Sequence, residues 1–219
     1  MRRQGQLSCS SALLRLSTDG TLTQHIPADT IGHWRDERVT LIQHTCWNTV
    51  ESKADTTPIY DAEAQLVIVA WARIDNRDEL ARPLGLCATD PTLSDTRFIL
   101  HSYRLWHEAC VHHLIGDFVF VIFDLREQQL FCARDHLGVR PFYYDLSEER
   151  MLFATSLQVF VALHRQTLQA SPRWMADYLT GLSMSFSATP YPNIVKLPPA
   201  HCLSVGVHHA HLRPYFAFS

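Results

Sequence analysis

The chain has 219 residues, of which 47% are hydrophobic and 19% are charged, and its formal net charge at pH 7 is −3. This composition is typical of a globular protein with a real apolar core. Because no long basic run occurs, nothing in the sequence indicates nucleic acid or an anionic membrane as a partner.

Short segments rich in β-branched and aromatic residues, bounded by turn formers, predict the strands. These segments are Val39–Cys46, Leu66–Ile74, Asp117–Asp124, Leu130–Arg134 and Met151–Thr155. The third is apolar on both faces and turns at Arg126–Gln128 into the fourth. We therefore expect a hairpin buried on both sides, either sheet against sheet or sheet under helices.

Helices are predicted between and after these strands. Asn76 with Glu79 fits a cap with a returning carboxylate, and Ser94 or Asp95 fits the cap of a later helix. The predicted helices are Arg77–Arg82, a segment that ends at Trp106, and a segment that begins at Ser171–Pro172 and stops at Gly181. The stretch "TPYPNIVKLPPAHCLSV" predicts an irregular loop followed by a late strand.

The apolar runs and the positions of cysteine and histidine bear on the cellular compartment and on metal binding. The longest apolar run, Leu66–Ala72, is far shorter than the about 20 residues of a membrane-spanning helix. Without a secretory stretch, we expect a cytoplasmic protein with reduced cysteines and no membrane contact. The six cysteines include no C-x-x-C pair, and adjacent histidines diverge in direction, so we expect no metal site. Since no glycine-rich phosphate loop occurs, we also expect no cofactor or ATP site.

The stretch Gly116–Tyr144, "GDFVFVIFDLREQQLFCARDHLGVRPFYY", carries a specific resemblance. It is similar to the N-terminal glutaminase-type domain of the asparagine synthetase family, which has G-D-F-A-F-x-x-x-D and then L-x-x-A-R-D-x-x-G-x-x-P-L-Y-Y. The stretches "RIDNRDELA", "SDTRFILHSYRLWHEAC" and "NIVKLPPAHCLSV" add to it. The resemblance covers the chain well from Leu66 to the end and poorly over the first sixty residues.

The resemblance implies a fold and a domain organisation. The fold is α+β, a four-layer αββα sandwich of the N-terminal-nucleophile type with two antiparallel sheets between helical layers. We expect residues 1–219 to form one domain, with 1–8 as a divergent extension and no synthetase domain. An ATP-dependent synthetase domain or subunit is the implied partner, and a homodimer is left open.

In active members of the family, an N-terminal cysteine attacks the side-chain amide of glutamine while its own α-amine acts as the base. An arginine binds the substrate carboxylate, an aspartate binds its ammonium, and an asparagine with a glycine N–H stabilises the oxyanion. Each oxyanion donor contributes a factor of about 10²–10³. The residues that fill these roles in the family are the ones to look for in this sequence.

This sequence departs from the family pattern at most of those positions. The chain starts Met1-Arg2-Arg3-Gln4, and the nearest cysteine is Cys9. The family's Asn-Gly-Glu falls on Trp71, Ala72 and Arg73, and its carboxylate-binding arginine falls near His44. Trp71 cannot supply the oxyanion amide, and Ala72 lacks the backbone freedom of glycine.

Asp95 is the one ligand that is retained, although it is equally suited to cap a helix. We hypothesise that Arg73 pairs with Asp95 and fills the space of the substrate ammonium. The alternative is an exposed arginine at a strand end without a partner.

Arg134, Asp135, Gly138 and Pro141 form the conspicuous charged turn of the resemblance. Glycine and proline fix the turn through φ freedom and φ restriction. We expect this group to be structural rather than catalytic, and the resemblance implies the same.

Three interpretations of function follow. The preferred one is a glutamine amidotransferase-like domain with a degenerate glutaminase site, acting as a structural or interaction module for an ATP-dependent amide-forming synthetase half. The alternative is an active glutaminase that uses Cys9 after removal of eight residues and supplies ammonia for asparagine synthesis. The third is a fragment whose partner domain was lost, with an exposed apolar face.

Overall fold

The computed structural model describes residues 29–46, 51–53, 57–146, 151–163, 168–181, 186–207 and 209–217. The strands are β1 (Thr30–Arg35), β2 (Thr40–Thr45), β3 (Ile59–Asp61), β4 (Leu66–Ile74), β5 (Gly116–Asp124), β6 (Gln129–Arg134), β7 (Tyr143–Leu146), β8 (Met151–Ala154), β9 (Val195–Lys196), β10 (His201–Val205) and β11 (Ala210–Pro214). The α-helices are α1 (Arg77–Leu84), α2 (Asp95–Trp106), α3 (Leu157–Leu163) and α4 (Pro172–Thr180). Short 3-10 helices lie at Glu51–Lys53 and His107–His112.

The strands form antiparallel sheets of different size. The large sheet has the order β11-β10-β6-β5-β4-β3, the small sheet has the order β8-β7-β9, and β1 pairs with β2. The longest pairing joins β4 to β5, from Leu66 opposite Asp124 to Ile74 opposite Gly116. The predicted hairpin is confirmed, since β5 and β6 pair directly across a short turn.

The residues of β5 explain why the large sheet is buried on both faces. Phe118, Phe120 and Ile122 belong to the core beneath α1 and α2. The alternate residues, Val119, Val121 and Phe123, belong to the core between the two sheets. A strand with no polar face must be covered twice, and burial of each such side chain contributes about 1.5–3 kcal/mol.

Three separate apolar clusters indicate four layers. The first lies between the α1–α2 layer and the large sheet, and the second lies between the two sheets. The third, with Leu152, Phe160 and Ile194, joins the small sheet to α3. This arrangement confirms the predicted α+β sandwich with antiparallel sheets between helices.

Caps confirm two of the predicted helix starts. The Ser94 Oγ accepts from the Arg97 N–H at 3.3 Å, so Ser94 caps α2 and Asp95 is its first helical residue. The Ser171 Oγ accepts from the Trp174 N–H at 3.2 Å, and α4 ends at Gly181 with φ of 67°.

The predicted side-chain cap at α1 is wrong. Asn76 precedes the helix but makes no capping hydrogen bond to it. Its side-chain amide instead donates to the His113 carbonyl at 2.8 Å and accepts from the Ile115 N–H at 3.0 Å. Asn76 therefore ties the start of α1 to the segment that leads into β5.

Candidate functional site

The end of β4 lies at the edge of the space between the two sheets. Side chains alternate along a strand, so Trp71 and Arg73 point to the same face as Val67 and Val69, which line the inter-sheet core. Trp71 lies opposite Val119 on β5, and Arg73 lies opposite Asp117. The strand thus changes from apolar to aromatic and charged where it leaves the core.

Trp71 is 44% exposed, and a guanidinium is stacked on its indole ring. The Arg140 guanidinium carbon lies 4.3 Å from the ring centroid. Arg140 comes from the loop between β6 and β7, and its Nε is buried without a hydrogen-bond partner. A stacked guanidinium of this kind is attracted by the face of the indole ring.

Arg73 is held by neighbouring carboxylates. Its Nε donates to Asp75 at 3.0 Å, and its Nη2 lies 3.3 Å from Asp117. The hydrogen bond to Asp75 raises the pKa of Arg73, and the charge of Asp117 adds to this. The alternative interpretation is correct that Arg73 is exposed, with 59% of its side chain accessible, and wrong that it has no partner.

The hypothesised pairing of Arg73 with Asp95 is also wrong. The carboxylate of Asp95 accepts from the Nε of Arg77 at 2.7 Å, while Arg77 also donates to the Leu93 carbonyl at 2.9 Å. Arg73 has two closer carboxylates, Asp75 and Asp117. Arg77 is the first residue of α1, next to the start of α2, so its reach to Asp95 is short.

Asp95 is poorly solvated. Burial raises the pKa of Asp95 above its usual range, although Arg77 and the Ile74 N–H act in the opposite direction. The aromatic ring of Phe98 lies beneath the guanidinium of Arg77, 5.0 Å from its Cζ. The pair is therefore enclosed by protein on more than one side.

The remaining predicted positions do not converge on Trp71. Ala72 faces the opposite side of β4 and packs against the core beneath the helices. His44 lies on β2 opposite Ile31, and its Nδ1 is buried without a hydrogen-bond partner. Next to it, the side-chain amide of Gln43 accepts from the Ala70 N–H at 3.2 Å and donates to its carbonyl at 2.8 Å.

Arg134 and Asp135 hold the turn between β6 and β7. The guanidinium of Arg134 donates to the carbonyls of Arg140, Leu197 and Gly138, and burial lowers the pKa of Arg134. The carboxylate of Asp135 accepts N–H groups from three residues of the same turn, Leu137, Val139 and Arg140.

Gly138 has φ of 65°, and a Cβ there would meet the Pro199 ring at 2.8 Å. Pro141 directly follows Arg140 and precedes β7. These contacts fix the backbone from which the Arg140 side chain extends.

Cys9 lies outside the described residues. Of the described cysteines, Cys110, Cys132 and Cys202 are buried, and burial raises the pKa of each thiol. No cluster of three or more metal-binding side chains occurs in the described ranges. In those same ranges, no helix is long and apolar enough to cross a bilayer.

The residues that the sequence reasoning missed are Arg77, Asp117 and Arg140. Each lies within a quoted stretch of the resemblance, in "RIDNRDELA", "GDF" and "LGVRP". Charge alone did not distinguish them, since their roles depend on which strand or helix end lies alongside.

A family model described as a glutamine amidotransferase domain matches residues 10–216. Asparagine synthetase [glutamine-hydrolyzing] 3 of Bacillus subtilis is 39% identical over 119 residues, 51% of this chain and 18% of that protein. Amidase chry2 of Gibberella zeae is 25% identical over 191 residues, 86% of this chain and 28% of that protein. The chain thus spans less than a third of the length of these relatives.

Among solved structures, the fold is similar to glutamine phosphoribosylpyrophosphate amidotransferase from B. subtilis complexed with ADP and GMP. The TM-score is 0.55 at 14% identity, over 82% of this chain and 35% of that one. This likeness concerns the fold alone.

Proposed function

Because the chain belongs to the glutamine amidotransferase domain family, we propose that it is an amidotransferase-like domain of asparagine-synthetase type whose glutaminase site has degenerated. In this role it is a structural and interaction module for an ATP-dependent, amide-forming synthetase half. The domain itself is related to asparagine synthetases. To this relationship the proposal adds that glutaminase activity is lost and that the structural and interaction role is retained.

The observation that carries the proposal is the ion pair between Asp95 and Arg77 at 2.7 Å. In the resemblance, Asp95 is the residue that would receive the ammonium of glutamine. Arg77 already supplies a cation to this carboxylate from within the protein. A substrate ammonium would have to displace it, at the cost of leaving a guanidinium less than a quarter exposed without its counter-charge.

The oxyanion positions give a second line of support. Trp71 offers only an indole N–H in place of an amide, and its ring is covered by the guanidinium of Arg140. Ala72 faces the helix-side core rather than the inter-sheet space. Ala72 keeps a backbone N–H as glycine would, so the donor lost by residue identity is the asparagine amide, and its loss would reduce turnover by a factor of about 10²–10³.

The competing proposal is an active glutaminase with Cys9 as nucleophile. It requires processing that removes residues 1–8, so that the α-amine of Cys9 can act as the base. The match of the family model from residue 10 onward leaves this alternative in place.

Glutamine hydrolysis by the purified chain tests the two proposals. Glutamate release should be the same for the wild type and for Cys9→Ala, and the intact mass should retain residues 1–8. Cys9-dependent glutamate release together with loss of those residues would establish the enzyme instead. Co-expression with a synthetase half of asparagine synthetase type, followed by size-exclusion chromatography, tests the module role, because separate elution would exclude a stable complex.

A further inference from the structure

Arg140 carries a guanidinium whose Nε has no acceptor among the residues that the structure describes. Its Nε is buried and makes no hydrogen bond, and no ion pair joins Arg140 to a carboxylate within the described ranges. Buried donors in proteins are normally satisfied, and a donor left without an acceptor is destabilising. The buried Nε is out of reach of a ligand, but the Nη groups of this half-buried side chain are not among the buried atoms and can gain from an acceptor that a ligand supplies.

The position of this guanidinium is fixed from both ends. The Arg140 N–H donates to the Asp135 carboxylate at 3.1 Å, and the Arg140 carbonyl accepts from Arg134 at 2.5 Å. At the other end, the guanidinium is stacked on the indole of Trp71. Because the fork is held before a ligand arrives, little conformational entropy remains to be lost on binding.

The acids near the site are already engaged. Asp75 and Asp117 both contact Arg73, so neither carboxylate is available to Arg140 in this arrangement. Arg73 and these two carboxylates together carry a charge of −1, and Arg140 is the cation at this strand end that forms no ion pair within the described residues. The negative charge of Arg73 with its two carboxylates disfavours a doubly charged phosphate more than a singly charged carboxylate, which a guanidinium can bind through two parallel hydrogen bonds.

The surroundings of the fork are partly apolar. Trp71 is 44% exposed, and Leu137 and Val139, in the same turn as Arg140, are 69% and 51% exposed. A ligand with a short hydrocarbon chain next to its carboxylate would cover some of this apolar surface.

We propose that Arg140, stacked on Trp71, forms a binding site for a small carboxylate with a short apolar chain. The site lies at the strand end where the family oxyanion residues would stand, so the inference rests on the proposed loss of the glutamine site. It assigns a ligand class to that strand end, namely an organic acid bound through its carboxylate.

Ligand-observed NMR titration of the full chain with glutarate tests the site, with the uncharged glutaramide as the matched ligand. One preorganised fork supports a Kd of roughly 1 mM, and glutaramide should bind at least about tenfold more weakly. Arg140→Gln should weaken glutarate binding by about tenfold or more, and Arg140→Lys, which keeps the charge without the fork, by about threefold to tenfold. Arg38→Gln, a control at an exposed arginine in the β1–β2 turn, should bind like the wild type.

Equal binding of glutarate and glutaramide, or an Arg140→Gln value within twofold of the wild type, would overturn the inference. Circular dichroism establishes that each variant is folded, and Arg140→Lys decides the question if Arg140→Gln does not fold. Inorganic phosphate binding more tightly than glutarate would also contradict the carboxylate assignment. Cys9-dependent glutaminase turnover would refute the proposed function separately, since glutarate has no amide to hydrolyse.

Discussion

Replacing Arg77 by methionine isolates the charge of the Arg77–Asp95 pair. Methionine keeps an unbranched chain over the ring of Phe98 but removes the cation and the hydrogen bonds to Asp95 and the Leu93 carbonyl. Asp95 is then left in an environment where burial already raises its pKa. The folded state must either keep an uncompensated carboxylate or take up a proton.

The size of the effect follows from the exposure of the pair. Breaking a fully buried ion pair costs about 3–5 kcal/mol. The side chains of Arg77 and Asp95 are 23% and 21% exposed, so solvent screens part of that cost. We expect Arg77→Met to lower the free energy of unfolding at pH 7.5 by about 2–3 kcal/mol. With an m-value of about 2 kcal/mol/M in urea, the midpoint should fall by roughly 1 M.

The pH dependence has a definite sign. Without Arg77, the folded-state pKa of Asp95 lies further above its unfolded value, so the folded state binds a proton more tightly than the unfolded state does. The unfolding free energy of the variant should therefore rise, relative to the wild type, as the pH falls from 7.5 to 5. Adding Asp95→Asn should recover most of the loss at pH 7.5, because the buried charge is removed.

Urea denaturation followed by tryptophan fluorescence at both pH values provides the measurement, as a double-mutant cycle over Arg77 and Asp95. A loss below about 0.5 kcal/mol for Arg77→Met would show that the pair does not hold the carboxylate as described. The same loss at pH 5 and pH 7.5, with no recovery in the double variant, would show that the cost lies in packing instead of charge. Either outcome would weaken the argument that Arg77 occupies the ammonium position.

Two further predictions concern the framework around the site. Burial opposes ionisation of Glu108, yet hydrogen bonds from Ser204, Arg213 and Gln129 together lower its pKa. Glu108→Gln should therefore cost about 1–2 kcal/mol near pH 7. Because a lowered folded-state pKa contributes stability that is lost as the pH falls, urea titrations of the two proteins should begin to converge below the unfolded-state pKa of about 4.3 and should coincide once the pH is below the folded-state pKa. Gly138→Ala should lower the free energy of unfolding by about 2–4 kcal/mol, since φ is 65° and the new Cβ would lie 2.8 Å from the Pro199 ring. Gly85→Ala is the matched control, because Gly85 has a similar φ of 66° but nothing within 4 Å of the new Cβ. It should cost only the backbone strain of about 1–2 kcal/mol. Equal costs for the two alanine variants in thermal unfolding would show that the contacts of the new Cβ with Pro199 and with the Arg134 guanidinium, at 2.8 and 2.9 Å, carry no energy.

The strands and helices that were predicted correctly are those whose bounds are set by their own residues. The strand Leu66–Ile74 has the predicted bounds because its first residues, Leu66–Ile68, are buried on both faces, and such a run has few alternative positions. The helix from Pro172 to Thr180 is likewise marked at both ends, by Ser171 and Gly181. Such signals lie within a few residues of each other and need no knowledge of the rest of the chain.

The missed strands depend on their neighbours. β9 has two residues and exists because it pairs with β7. β1 and β11 lie at sheet edges and have exposed residues at several positions, so their sequences lack the continuous apolar pattern. A short edge strand is stabilised mainly by the partner that it extends, which a local pattern does not reveal.

The choice between Arg73 and Arg77 shows the same limit for the site. Both arginines are within four residues of each other in the sequence, and both stand near the start of α1. Arg73 has a carboxylate two residues away at Asp75 and another directly across the sheet at Asp117, so two acids compete for it. Arg77 points to α2, where Asp95 is poorly solvated and gains more from a cation than an exposed acid would. The register of β4 with β5 brings Asp117 to Arg73, and the packing of α1 beside α2 brings Asp95 to Arg77, so both partner choices depend on the fold and not on either charge alone.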